Sequence, residues 1–420
     1  MSKILIKGAT IKGKETDLLI DGNIISKIAP KIDVQADRVI SGKDRTVIPG
    51  LINMHTHAAM TLLRGASEDL SLQQWLNKIW SIEADLDPEM IYWGTKLAAL
   101  EMIQSGTTCF LDQYWNEDSA AKACAEVGIR SNNCFVVLDK HDTANAEPIK
   151  ERCLQALERS RSWGPLQKFQ IACHAPYTVS DDMFQWSSNF ARQNGLLLHI
   201  HLSETRQENL ESVAQYGQSP TEHLESIGVL GPEVVAAHCV WVEDRDLDIL
   251  AKRKVNVVHN VNSNLKIASG DKFKYNEMKQ RGINVCIGTD GAASSNNLDI
   301  MEAMETMALI QKGWREDPKA LPLQELMDIA TVNAAKALKL DAGRVEEGAL
   351  ADICLVNTDN PAFIPNFNFN ADFIYSANSS CIDTVIIDGK VVMEGRHVKD
   401  EEEIMREANK MAWKLCKKYL

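Results

Sequence analysis

Eight apolar runs, each closed by polar residues and separated from the next by a helix-like stretch, constrain this chain more than any other feature. They are Val47–His57, Thr107–Asp112, Ile129–Leu138, Phe169–His174, Leu196–Leu202, Val234–Cys239, Val255–Asn260 and Ile283–Asp290. Little polar alternation interrupts them, which is how strands read when both faces are buried. Between them the pattern predicts helices such as Pro88–Ile103, Asp118–Glu126, Asp181–Gln193, Thr221–Ile227, Asp244–Lys252 and Phe273–Gln280. Repeated strand–helix units of this kind predict an α/β protein built as a (β/α)8 barrel of the TIM type. The first connection, residues 58–105, is too long for one crossover helix and predicts extra loop and helix over the barrel mouth.

The chain ends read differently. Short strands at Ile4–Ile6, Leu18–Ile20 and Ile24–Ile25 carry Asp21-Gly22, a strong hairpin turn signal. The same phrase returns as Val385-Ile386-Ile387-Asp388-Gly389-Lys390. Two such hairpins at opposite ends predict one small β-sandwich domain from residues 1–50 plus 345–400, with the barrel, 51–344, inserted between them. Residues 401–420 predict a charged amphipathic helix whose default role is packing or subunit contact. The Pro/Asn/Phe-rich segment 360–370 reads as an ordered excursion.

Composition excludes several classes. With 45% apolar and 25% charged residues, the 420-residue chain is expected to be globular and soluble. No run reaches the roughly 18 residues of a membrane span, and MSKILIKGATIKGKE has no secretory h-region, so a cytoplasmic location and no membrane partner are expected. A net charge of −13 argues against nucleic-acid binding. The ten cysteines lack any CxxC spacing and are expected to be reduced core thiols.

Barrel active sites lie at the C-terminal ends of strands, so the strand ends are where chemistry should be sought. The first strand ends in His55-Thr56-His57, the fifth in His199-Ile200-His201-Leu202-Ser203-Glu204, the sixth in Ala237-His238 and the eighth in Gly288-Thr289-Asp290. Residues two apart on a strand share a face, so His55 and His57 should look into one interior. Histidines and a carboxylate converging on one mouth suit a divalent metal, with zinc favoured by nitrogen and oxygen donors and iron or manganese fitting similar sites. An HxH pair alone is more often two ordinary histidines, and a lone GTD a turn; the combination carries the argument.

With PGLINMHTH, HIHLSET, AAHC and GTDGAASSNN in this order, the sequence resembles the amidohydrolase superfamily. More narrowly it is similar to the methylthioadenosine, S-adenosylhomocysteine and 5′-deoxyadenosine deaminases, through WLNKIWSIEADL, GTTCFLDQYW, CHAPYTVS and VNSNLKIASG. The resemblance implies one zinc per subunit held by His55, His57, His201 and Asp290, with Glu204 as proton shuttle and His238 as a polariser beside the hydrolytic water. It further implies that Glu83 binds a ribose diol, that His174 contacts the purine and that Trp75 and Trp80 line the pocket. The reaction implied is hydrolytic deamination of an adenosine-type nucleoside. An aminohydrolase or chlorohydrolase of another heterocycle, such as an s-triazine, guanine or a pterin, is the competing reading. A homo-oligomer is expected. No arginine occurs between Arg130 and Arg152, where family members carry arginines that reach the distal end of the substrate, and Val261 replaces a proline common in the family.

Overall fold

The computed structural model describes residues 2–419; Met1 and Leu420, the outermost residues of two expected segments, lie outside the described residues. Eight parallel strands form a nearly closed barrel: Leu51–Thr56, Thr107–Gln113, Arg130–Val137, Gln167–Cys173, Leu198–Leu202, Val234–His238, Asn256–His259 and Asn284–Ile287. Ends of the first and eighth strands meet where the Asp290 N–H donates to the His55 carbonyl at 2.9 Å. Inward residues such as Ile52, Met54, Leu111, Cys134, Val235 and Val258 fill the interior. Outward ones such as Phe110, Ile171, Ile200 and Val257 pack under the helices. Burial on both faces explains the near-continuous apolar runs.

One expected strand divides. Val47–His57 is two strands, Arg45–Pro49 in the end sheet and Leu51–Thr56 in the barrel. Gly50 is the break: a Cβ there would lie 2.2 Å from the Thr108 side chain, so the chain can pass between sheets only with glycine.

Nine strands from both chain ends make the second sheet, joined where Arg45–Pro49 pairs antiparallel with Ile353–Asn357. Both Asp-Gly hairpins belong to it, and their turns touch, with Asn23 Nδ2 donating to Asp388 Oδ1 at 3.0 Å. Arg130 ties this sheet to the third barrel strand. Its guanidinium, on a residue 8% exposed, meets Asp352 at 2.5 Å and Asp388 at 2.6 Å. Arg130→Met strands those carboxylates against the barrel and is expected to cost about 3–5 kcal/mol; urea unfolding monitored by circular dichroism measures it.

The long first connection covers the barrel mouth as expected. It carries a short 3-10 turn (Ala58–Leu63) and the helices Leu72–Glu83 and Pro88–Gln104. The C-terminal helix, Glu401–Cys416, packs Ala408, Met411 and Leu415 into the same cluster as Leu62, Ile79 and Ile82. All ten cysteines are free and buried. Among the described residues no helix is long and apolar enough to cross a membrane. Segment 360–370 holds a turn at Pro361–Phe363 and the start of a helix, Phe369–Tyr375, with Phe363, Phe369 and Phe373 stacked.

Candidate active site

The strand ends converge. His57 Nε2 lies 3.2 Å and His55 Nε2 3.5 Å from Asp290 Oδ1. The His201 ring centroid is 5.0 Å from that of His55 and 5.3 Å from that of His57. A bulge makes the first strand fit: Asn53 pairs with Phe110 and Thr56 with Asp112, one residue too many on the first strand. That extra residue re-aims His55 inward after Met54 has already pointed inward. Gly288 lets the eighth strand approach, since a Cβ there would sit 2.8 Å from the His55 backbone nitrogen. Ser203, His238 and Asp290 turn the chain through left-handed backbone, with φ of +49°, +75° and +64°. Such conformations are held by their surroundings and concentrate at functional sites.

Hydrogen bonds behind the rings fix their tautomers. His199 Nδ1–H donates to the Val235 carbonyl at 2.8 Å, so its Nε2 accepts from His55 Nδ1–H at 2.7 Å. His57 Nδ1–H donates to the Gln113 carbonyl at 2.6 Å, and His201 Nδ1–H to the His174 carbonyl at 2.8 Å. Three Nε2 atoms therefore face the centre beside the Asp290 carboxylate, and the buried His55 Nε2 has no hydrogen-bond partner. Partners of this kind orient ligand imidazoles in metal sites. Three imidazole Nε2 atoms and one carboxylate are the donor set that zinc and similar divalent ions take, an Nε2 proton being given up on binding, so the residues present fit a metal.

His238 is placed differently. The amide nitrogens of Asn264 and Asn260 face its Nδ1 at 3.0 and 3.3 Å, which leaves the proton on Nε2. That nitrogen lies 3.8 Å from Glu204 Oε2. His238 could complete a donor set with His55 and His201 by distance alone, but a protonated Nε2 makes it a hydrogen-bond donor to whatever reacts there.

The electrostatics divide the carboxyl groups by role. Burial, with Asp290 nearby, pushes Glu204 up to about 8, so it holds its proton at neutral pH. Burial would also raise Asp290, but His55 and His57 beside it hold it well below the usual carboxylate range, and Ser263 Oγ donates to its Oδ2 at 2.7 Å. Burial takes His55 down to about 4; in His57 the same effect is outweighed by Asp290, which lifts it to about 9. Glu83, raised by burial to about 7, accepts from Tyr114 Oη at 2.6 Å.

One cavity gathers these groups. His57, Glu83, His174, His201, Glu204, His238 and Asp290 line it, under a roof of Leu72, Trp75, Leu76, Ile79 and Trp80 from the covering helix. His174, at the end of the fourth strand, is taken down to about 3 by burial and stays neutral. Its Nδ1 pairs with Thr178 Oγ1 at 2.8 Å. Trp75 both lines the cavity and anchors the roof, donating from Nε1 to the Ala293 carbonyl at 3.3 Å. Every site residue expected from the sequence thus reaches one place. His199, Tyr114, Ser263 and Asn264 were not expected; of these only His199, two residues before His201 on a strand, carried a readable signal.

Comparison with known proteins agrees with this geometry. The amidohydrolase family model matches residues 46–392. A 5-methylthioadenosine/S-adenosylhomocysteine deaminase of Aquifex aeolicus is 43% identical over 427 residues, covering 99% of this chain and 98% of that one. A 5′-deoxyadenosine deaminase of Methanosarcina mazei is 41% identical over 430 residues, covering 99% of each. A crystal structure of an adenosine deaminase from Xanthomonas campestris with bound zinc superposes with a TM-score of 0.93 at 32% identity, covering 98% of each chain. A matched family model over most of its length, on a barrel whose strand ends supply the donors, makes this chain a member of the amidohydrolase family.

Proposed function

We propose that this chain is a hydrolytic deaminase that replaces the 6-amino group of an adenosine-type nucleoside by oxygen and releases ammonia. The observation that carries the reading is a buried Glu204, its carboxyl pushed up by burial, sharing one cavity with His57, His201 and Asp290 of the donor set and with Glu83. Relatives named as deaminases of such nucleosides support it.

His55, His57, His201 and Asp290 would hold one divalent cation, with zinc as the proposed ion. When bound, that ion lowers the pKa of a coordinated water to about 7. The protein's own groups do the rest. Glu204 gives its proton to the ring nitrogen next to the amino-bearing carbon, which makes that carbon electrophilic. Asp290, kept ionised, takes a proton from the attacking water. His238 Nε2–H donates to the oxygen as charge develops on it. A carbon–oxygen bond forms, the carbon–nitrogen bond breaks, and the amine leaves as ammonia after a second proton delivery through Glu204. The covering helix with Trp75 and Trp80 keeps bulk water away.

Glu83 is assigned to the sugar. A carboxylate accepts from two adjacent hydroxyls at once, and Tyr114 orients it. Its ionised, doubly accepting form predominates only above its pKa, so KM for a nucleoside is expected to rise as pH falls below about 7. Glu83→Gln should abolish that rise and damage nucleoside turnover far more than turnover of the free base. Equal losses on both substrates would remove the ribose assignment. The reaction itself is tested by an ammonia-release screen over adenosine, 5′-deoxyadenosine, methylthioadenosine, S-adenosylhomocysteine, guanine and an s-triazine. Mass spectrometry should show a product about one mass unit heavier than the nucleoside, as NH2 gives way to OH.

A further inference from the structure

Gln113 closes the second barrel strand and lines the cavity beside Tyr114, yet its side chain takes no part in the donor set or in the hydrogen bonds around it. It shares the inward parity of Cys109 and Leu111, two core residues of the barrel interior. Only 2% of the residue is exposed, and neither its Nε2 nor its Oε1 has a hydrogen-bond partner. Among the described residues no other side chain leaves two buried polar atoms both unpartnered. A carboxamide in that position is costly to the fold, and a methionine or leucine would fill the space without the cost. The backbone carbonyl of Gln113 already orients His57, a task any residue could perform.

We propose that Gln113 is a substrate-binding residue whose carboxamide hydrogen-bonds a sugar hydroxyl of the nucleoside, an inference that rests on the deaminase reading above. Two features select a hydroxyl over the purine edge. Gln113 stands at strand two, whereas the reacting edge is met by Glu204 and Asp290 from the ends of strands five and eight. Its chain neighbour Tyr114 holds Glu83, the carboxylate assigned to the sugar, at 2.6 Å. A carboxylate only accepts, so a hydroxyl bound to Glu83 still has lone pairs free; Gln113 supplies the N–H that Glu83 lacks, and its Oε1 can take a second hydroxyl proton.

The test measures KM and kcat of wild type, Gln113→Leu and Gln113→Met on adenosine and its 2′-deoxy, 3′-deoxy and 5′-deoxy analogues, with metal content and thermal midpoint alongside. Expected is a rise in KM for adenosine of about tenfold, the worth of one hydrogen bond, with little change in kcat. The analogue lacking the contacted hydroxyl should show no further loss in either variant, which identifies that hydroxyl. Metal content should stay at the wild-type level and the thermal midpoint should hold or rise, since an unpartnered amide is gone. Gln113→Met, unbranched and close in volume, serves if the leucine variant fails to fold. A KM for adenosine unchanged within about twofold, or the same loss on all four substrates, overturns the assignment while leaving the deaminase reading intact. Wild-type protein that deaminates no nucleoside overturns both.

Discussion

Glu204→Gln is expected to lower kcat for nucleoside deamination by about 10²–10⁴-fold, the usual worth of a positioned general acid. Glutamine keeps the shape and can still hydrogen-bond, but it has no proton to deliver to the ring. Binding should survive, so KM should move far less than kcat. The pH profile separates this role from a structural one. Because burial and the Asp290 charge raise Glu204 to about 8, its working, protonated form predominates below that pH. Wild-type kcat should therefore fall as pH climbs through about 8, and the variant's small residual rate should lose that limb. A variant that keeps most of its turnover, or keeps the limb, would assign the proton to another group.

Removing the metal is the second large effect. Exhaustive chelation should abolish turnover, and stoichiometric zinc should restore it. The donor set explains both effects: the Nε2 atoms of His55, His57 and His201 are aimed inward by His199 and by the Gln113 and His174 carbonyls, with the Asp290 carboxylate beside them. Without an ion, the buried His55 Nε2 has nothing to bond. A cation bound by the folded chain alone also stabilises it, by about 4 kcal/mol when free metal is 1,000 times the dissociation constant. Metal-free protein should thus melt at lower temperature as well as being inactive. His201→Ala and Asp290→Asn should resemble the chelated wild type in metal content and in rate. Turnover that persists in demonstrably metal-free protein would refute the assignment of these residues.

Much of this architecture is legible in the sequence because strands buried on both faces leave uninterrupted apolar runs. The eight runs locate the barrel, and their polar ends locate the site. What is harder to read has a physical reason in each case. Val47–His57 looks like one strand because only Gly50 separates two strands of different sheets, and a single glycine inside an apolar run is a weak mark. The HxH rule correctly turns His55 and His57 to one interior, but the bulge after Asn53 that places them is invisible, since it depends on pairing with the second strand. Tyr114 and Asn264 act through partners 31 and 26 residues away, so neither residue type nor spacing announces them. Gln113 is the extreme case. Its meaning lies in the absence of a hydrogen-bond partner for its amide, which is set by surroundings brought together only on folding.

The meeting of the two Asp-Gly turns has a consequence for how the polypeptide is made. Asn23 emerges from the ribosome early, yet its partner Asp388 follows 365 residues later. At roughly 5–20 residues per second, the amino-terminal strands wait about 20–70 s for the segment that completes their sheet. During that interval their apolar faces and open edges stay uncovered, and synthesis halted before Asp388 would leave them so.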